Sequence, residues 1–148
     1  MTSTHRIRDA AGWTMFTFGV LALLLGLLGL VRPELLLSIL GFPILDRAAR
    51  ISGDYTIVFM VASSMASFNM GVYYILAALN DFKSFYRWTV PFRCVTFLVF
   101  TTAALTGLAP LRFIGVGAWE LTGAIATGLA IQKKQEKPMG GHHALDLD

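Results

Sequence analysis

Residues 88–132 read WTVPFRCVTFLVFTTAALTGLAPLRFIGVGAWELTGAIATGLAIQ, two apolar segments joined by the letters GLAP at 107–110. Each segment is long enough to cross about 30 Å of hydrocarbon as a helix that rises about 1.5 Å per residue. Each also carries one charged residue inside its apolar run, Arg93 in the first and Glu120 in the second. The stretch therefore predicts a transmembrane hairpin with an ionisable side chain on each arm.

The composition of the whole chain agrees with a membrane hairpin. Hydrophobic residues make up 55% of the 148 residues and charged residues only 14%, whereas soluble domains carry about a quarter charged residues. The net charge is +3, but the basic residues are scattered between apolar runs, so no nucleic-acid partner is predicted. A single cysteine, Cys94, excludes an intramolecular disulfide and a CxxC motif. We expect this chain to have the lipid bilayer as its main partner.

Two further apolar runs raise the number of predicted spans to four. The spans are 12–31, 55–80, 88–108 and 113–132. Between the first two, Pro33 and Glu34 favour a helix start, and the apolar run 35–40 that follows is too short to span. We predict a short interfacial helix there. Asp46 is expected to cap a further helix at 47–51, and its continuation through Gly53 into the second span stays open.

The predicted fold is thus all-α: an integral membrane four-helix bundle with a short interfacial helix between helices one and two. Residues 1–132 form one transmembrane domain, and the polar residues 133–148 are expected to be a disordered cytoplasmic tail. With four spans, seven Lys and Arg residues lie on the side of the termini and four on the other. This excess predicts that both termini are cytoplasmic.

Glu120 is the strongest candidate for chemistry. On a helix it shares a face with Gly117, Ala124 and Thr127, small residues on which another helix can pack, so it should point into the bundle. A charge near the bilayer centre costs about 2.5 to 3.5 kcal/mol, so Glu120 needs a partner, water or a proton.

Arg93 is the obvious partner for Glu120. The predicted spans place the two Cα atoms at depths that differ by roughly 10 Å. We therefore expect Asn69 of the second span, or water, to lie between the charges. Tyr73, on the same helix face as Asn69, completes the candidate polar cluster.

Several interpretations of this cluster stay open. It is either a structural clasp, with the variant that Arg93 extends to the cytoplasmic headgroups, or a proton or substrate site. The sequence has no catalytic motif, no cofactor is predicted, and His142 and His143 lack further ligands for a metal. We expect an accessory or self-associating component of a membrane complex. The alternatives are a proton-coupled small transporter that uses Glu120, and a membrane-embedded isomerase or cyclase for a lipophilic substrate.

One resemblance covers most of the chain, about residues 12–132. The apolar run 26–43 contains Pro33-Glu34 and ends in Gly41-Phe42-Pro43, and Asn69-Met70-Gly71 follows in the second span. This pattern resembles the broad DoxX-like group of small four-helix membrane proteins. The resemblance implies the four-helix membrane fold and carries no site residue over, so Arg93 and Glu120 rest on this sequence alone.

Overall fold

The computed structural model describes residues 7–135, and every regular element in that range is helical. The helices are α1 (Ala10–Val31), α2 (Pro33–Ile39), α3 (Thr56–Leu79), α4 (Lys83–Leu105) and α5 (Arg112–Gln135), with a 3-10 turn at Arg47–Ala49. α1, α3, α4 and α5 are long and apolar enough to cross a membrane. The predicted all-α fold with four spans and a short intervening helix is confirmed. Residues 136–148, with most of the expected disordered tail and both of its histidines, lie outside the described residues.

Two boundaries differ from the sequence predictions. α4 begins at Lys83, five residues before the predicted start at 88, because the supposed link already packs as helix and Tyr86 is fully buried. The helix expected at 47–51 is only the 3-10 turn, and it does not continue into the second span. Gly53, at φ +95°, turns the chain there, and the Asp54 carboxylate accepts the Thr56 N–H at 2.9 Å as α3 begins.

α1 and α3 pack with their backbones in contact. A Cβ atom on Gly26 would lie 2.5 Å from the backbone nitrogen of Phe68, and one on Gly71 would lie 2.5 Å from that of Leu23. The glycine-containing face of α1 is therefore a helix interface. The Ser67 hydroxyl adds a hydrogen bond of 3.0 Å to the carbonyl of Ala22 across the same seam.

α4 and α5 form the hairpin, and α1 lies against it. At the loop end, Phe113 packs on Phe100 and on Phe42, with ring centroids 5.3 and 5.6 Å apart. Nearer the other end, the hydroxyls of Thr14 in α1 and Thr127 in α5 are hydrogen-bonded at 2.9 Å. The bundle centre therefore lies where α1, α4 and α5 meet.

Candidate functional site

Arg93 lies on the inner face of α4. Thr89 follows Tyr86 by three residues and Arg93 follows Thr89 by four, and all three side chains are buried. These spacings place side chains above one another on one helix face, whereas Pro91 of the same helix is exposed. Arg93 itself is only 2% exposed. The packing of α4 therefore holds a guanidinium inside the bundle, and the expectation that it extends to the headgroups is wrong.

The Arg93 guanidinium is paired directly with Glu120. Its Nε donates to Oε2 of Glu120 at 2.9 Å. Glu120 lies on the face predicted for it, since Gly117, Ala124 and Thr127 are all buried. The predicted partnership is therefore present, but the expected intermediary is not: the two charges are in direct contact, and within the described part of the chain no third residue lies between them.

The depth of the two residues explains the direct contact. Arg93 precedes the end of α4 at Leu105 by 12 residues, and Glu120 follows the start of α5 at Arg112 by eight. At about 1.5 Å per residue these distances are roughly 18 and 12 Å. The remaining difference of about 6 Å is within the combined reach of an arginine and a glutamate side chain. The sequence estimate was larger because it placed the end of the third span three residues too late.

A glycine and the ring of Phe18 line the pocket of the guanidinium. Cζ of Arg93 lies 3.4 Å from the ring centroid of Phe18 in α1, a cation–π contact. A Cβ atom on Gly123 would lie 2.6 Å from Nη2 of Arg93 and 2.1 Å from Cζ of Phe18. Trp119 stacks on Phe18 with centroids 4.6 Å apart. Gly123, one turn after Glu120, thus provides the space that the charge pair needs.

The two charges differ in their access and in their hydrogen bonding. The Arg93 side chain is 3% exposed, whereas that of Glu120 is 27% exposed. Nη1 and Nη2 of Arg93 are buried and have no hydrogen-bond partner among the described residues. The arrangement can therefore keep a permanent positive charge enclosed while the carboxylate, held by one oxygen, retains a second oxygen for a proton or a ligand.

Asn69 and Tyr73, the other members of the predicted cluster, are not brought to this pair. Tyr73 is 54% exposed, and Asn69 is partly exposed on the same side of α3. The buried face of α3 instead follows Gly71 and Tyr74. The ring centroid of Tyr74 lies 5.8 Å from Cζ of Arg93. Adjacent helical residues point about 100° apart, so the prediction named the wrong one of two neighbouring tyrosines.

Sequence reasoning missed a second polar cluster at the end of the bundle where α1 begins. Lys83 pairs with the carboxylates of Asp9 and Asp81. Asp9 also accepts the N–H of Gly12 at 2.9 Å and so caps α1. The signal for this cluster was an acid before the first span and a lysine before the third, on the side predicted to carry both termini.

These features define a small polytopic membrane protein with an ion pair inside its helical bundle. Comparison with protein-family models, with curated proteins and with solved structures finds no match for this chain. The resemblance to the DoxX-like group therefore stays a prediction. Within residues 7–135, no three His, Cys, Asp or Glu side chains are grouped so that they could hold a metal ion.

Proposed function

We propose that this protein is a non-catalytic component of a membrane assembly, either self-associating or accessory to other subunits, with both termini in the cytoplasm. The observation that carries the proposal is the internal pairing of Arg93. Its charge is neutralised by Glu120 and covered by Phe18, so the bundle centre serves first to hold α1, α4 and α5 together. A small α-helical protein of the DoxX-like kind, with this interior, acts through its outer surface.

The outer surface of α3 supports association with another helix. Ala62 and Ala66 are exposed there, and Asn69 follows on the same side with a partly exposed amide. Small residues in a membrane allow a second helix to approach closely, and an amide can form a hydrogen bond across the contact. In lipid, no water is available to that amide as a hydrogen-bond partner. We therefore expect the partner, a second copy or another membrane subunit, at this side of α3.

Crosslinking and subunit counting in lipid nanodiscs test the proposal. The wild-type chain is expected to appear as a dimer or with a crosslinked partner, and Asn69→Leu to reduce that fraction. Met70→Leu, at an exposed position one residue further along α3, is the matched control and should change nothing. A lone monomer with no partner recovered in native membranes would overturn the proposal.

A second candidate function is proton-coupled transport through Glu120. The observation in its favour is the partial exposure of the Glu120 side chain beside an enclosed Arg93, since intramembrane carboxylates often mark ion and proton pathways. In proteoliposomes under an imposed membrane potential, Glu120→Gln is expected to abolish proton flux while Asn69→Leu retains it. Equal flux in wild type and Glu120→Gln would eliminate this candidate.

A further inference from the structure

Polar side chains line one half of the seam between α1, α4 and α5. On α4, Lys83, Tyr86, Thr89 and Arg93 follow one another at spacings of three, three and four residues, which places them on one face. The ten residues from Lys83 to Arg93 rise about 15 Å, half the thickness of the hydrocarbon core. Polar groups therefore extend from the bundle end to its centre.

The two neighbouring helices add hydroxyls to the same half of the seam. Thr14 and Thr127 are hydrogen-bonded at 2.9 Å, and Thr127 is fully buried. Thr14 precedes Phe18 by one turn and Thr127 follows Gly123 by one turn, and both Phe18 and Gly123 contact the guanidinium of Arg93. The hydroxyl pair thus lies one turn from the guanidinium, toward the end of the bundle where α1 begins.

The other half of the seam is closed by aromatic rings. Phe113 packs on Phe100 and Phe42, and a Cβ atom on Gly117 would lie 3.3 Å from the carbonyl oxygen of Phe97, so α4 and α5 are close there. Thr101 has a buried hydroxyl without a partner among the described residues in this half. The run of polar side chains that leads to Glu120 therefore lies in the half where α1 begins, a half that it shares with the buried apolar side chains of Met15 and Phe18.

We propose that Glu120 is a proton-binding site that exchanges its proton only with the membrane face carrying the start of α1. This deepens the second candidate function and does not depend on self-association. The donors on Nη1 and Nη2 of Arg93, buried and without a hydrogen-bond partner among residues 7–135, bind the water that completes the path from Thr14 and Thr127. Hydroxyls spaced by one turn can be bridged by single water molecules, which cost little to order.

The proton transfer is balanced within the pair. A proton that enters from the membrane face adds to Oε1 of Glu120, and each water or hydroxyl that passes a proton on receives another from the side of that face, so no hydroxide is left; Oε2 keeps the hydrogen bond from Nε of Arg93. Glu120 becomes a neutral carboxylic acid and Arg93 stays a guanidinium; the proton leaves by the same path. Of the described residues around the pair, α4 supplies the charged Arg93 and α3 the titratable Tyr74, whereas α1 contributes the uncharged ring of Phe18.

A purely structural reading of the hydroxyls predicts a different behaviour. Thr89 also donates to the carbonyl of Tyr86 at 2.9 Å and Thr14 to that of Ala11 at 2.8 Å, as threonines in membrane helices commonly do. If these bonds are the whole role of the hydroxyls, no proton reaches Glu120 along the seam. The two readings are therefore separable by measuring proton exchange at Glu120.

Infrared difference spectroscopy of the full chain in oriented vesicles tests the proposal. A pH step on the side of the α1 start is expected to change a carboxylic acid band that Glu120→Gln removes, and a step on the other side to leave it unchanged. Thr127→Val keeps the side-chain shape and should slow the response about tenfold, a barrier increase of about 1.4 kcal/mol. Thr101→Val, in the aromatic half, is the matched control and should leave the rate unchanged.

Three outcomes overturn the proposal: a band that follows both sides equally, a band that does not titrate, or a rate unaffected by Thr127→Val. Thr127→Ser retains the hydroxyl and should keep the wild-type rate, which separates loss of the path from loss of the fold. If Glu120→Gln leaves proton flux unchanged while the band of the wild-type protein responds to pH from one side only, the transport function is refuted and the inference about proton binding stands. A monomeric protein would remove self-association alone.

Discussion

The α1/α3 seam and the α4/α5 seam hold their helices by different means. At Gly26 and Gly71 the α1 and α3 backbones touch, with no room for a Cβ atom. In the hairpin, Arg93 and Glu120 reach across between α4 and α5. Lipid tails are as apolar as the helices, so association in a bilayer needs either close backbone packing or polar bonds. The α1/α3 seam uses close backbone packing, and the α4/α5 seam uses a polar bond.

Glycine shows how the same residue serves both seams. Gly26 of α1 removes a side chain so that a backbone can approach. Gly123 of α5 has no side chain, and the guanidinium of Arg93 and the ring of Phe18 occupy the space that a side chain would fill. Close backbone packing leaves no volume for a ligand or a proton path, whereas side-chain packing does. Chemistry is therefore expected at the α4/α5 seam and not at the α1/α3 seam.

Removal of one charge is the strongest test of this contrast. Arg93→Met leaves the Glu120 carboxylate without its partner, and breaking a buried ion pair costs about 3 to 5 kcal/mol. The free energy of unfolding in mixed micelles should fall by that amount. In the double variant Arg93→Met with Glu120→Leu most of the loss should be recovered, because no unpaired charge remains. A double variant less stable than the single one would show that the pair is not the source of the stability.

Overpacking of the glycine seam should have the next largest effect. Gly26→Ala places a methyl group 2.5 Å from the Phe68 backbone nitrogen, and since the neighbour is backbone, α1 and α3 must separate. The expected loss is about 1 to 3 kcal/mol. Gly115→Ala is the control, because a Cβ atom there meets nothing within 4 Å and alanine favours the helix. Similar losses in both variants would contradict close packing at Gly26.

Much of this contrast was predictable from local patterns. The charged pair is recognisable because Arg93 and Glu120 interrupt two apolar runs joined by a short turn. The small face of helix one follows from the glycines of the apolar run 12–31. The register of α4 was not predictable. It depends on Tyr86 packing against α1, where a Cβ atom on Gly12 would lie 3.5 Å from the Tyr86 hydroxyl, and this contact between distant parts of the chain places the helix start at Lys83.

The choice between Tyr73 and Tyr74 had the same physical origin. The two residues are neighbours in one apolar run, and the close approach of Gly71 to Leu23 in α1 decides which of them faces inward. The Lys83 to Asp9 pair likewise depends on α1 lying beside the start of α4. Such facts follow from helix placement, which composition and periodicity do not specify.

The hydroxyl pair between α1 and α5 should contribute less than either seam. Thr14→Val removes the bond to Thr127, and side-chain hydrogen bonds between membrane helices average about 0.6 kcal/mol. The unfolding free energy should fall by about that amount. Thr122→Val is the matched control, because Thr122 is exposed and its hydroxyl donates to the carbonyl of Ala118 in its own helix at 2.8 Å. Equal effects of the two substitutions would show that Thr14 contributes nothing across the interface.

Acid should loosen the connection between α2 and α3, and this is the smallest effect expected. The hydrogen bond from Arg47 holds the pKa of Glu34 below its ordinary value, and those from the Thr56 hydroxyl and N–H lower the pKa of Asp54. Because both folded-state pKa values are depressed, these contacts stabilise the connection above the ordinary carboxyl pKa and are lost as the pH falls through the lowered values. Hydrogen exchange of residues 40–55 should therefore be faster, after correction for its intrinsic pH dependence, at about pH 3 than at about pH 6. Arg47→Gln should remove the part of the increase in exchange rate that comes from Glu34 and keep the part that comes from Asp54. Slower exchange of residues 40–55 at the lower pH would contradict the assignment.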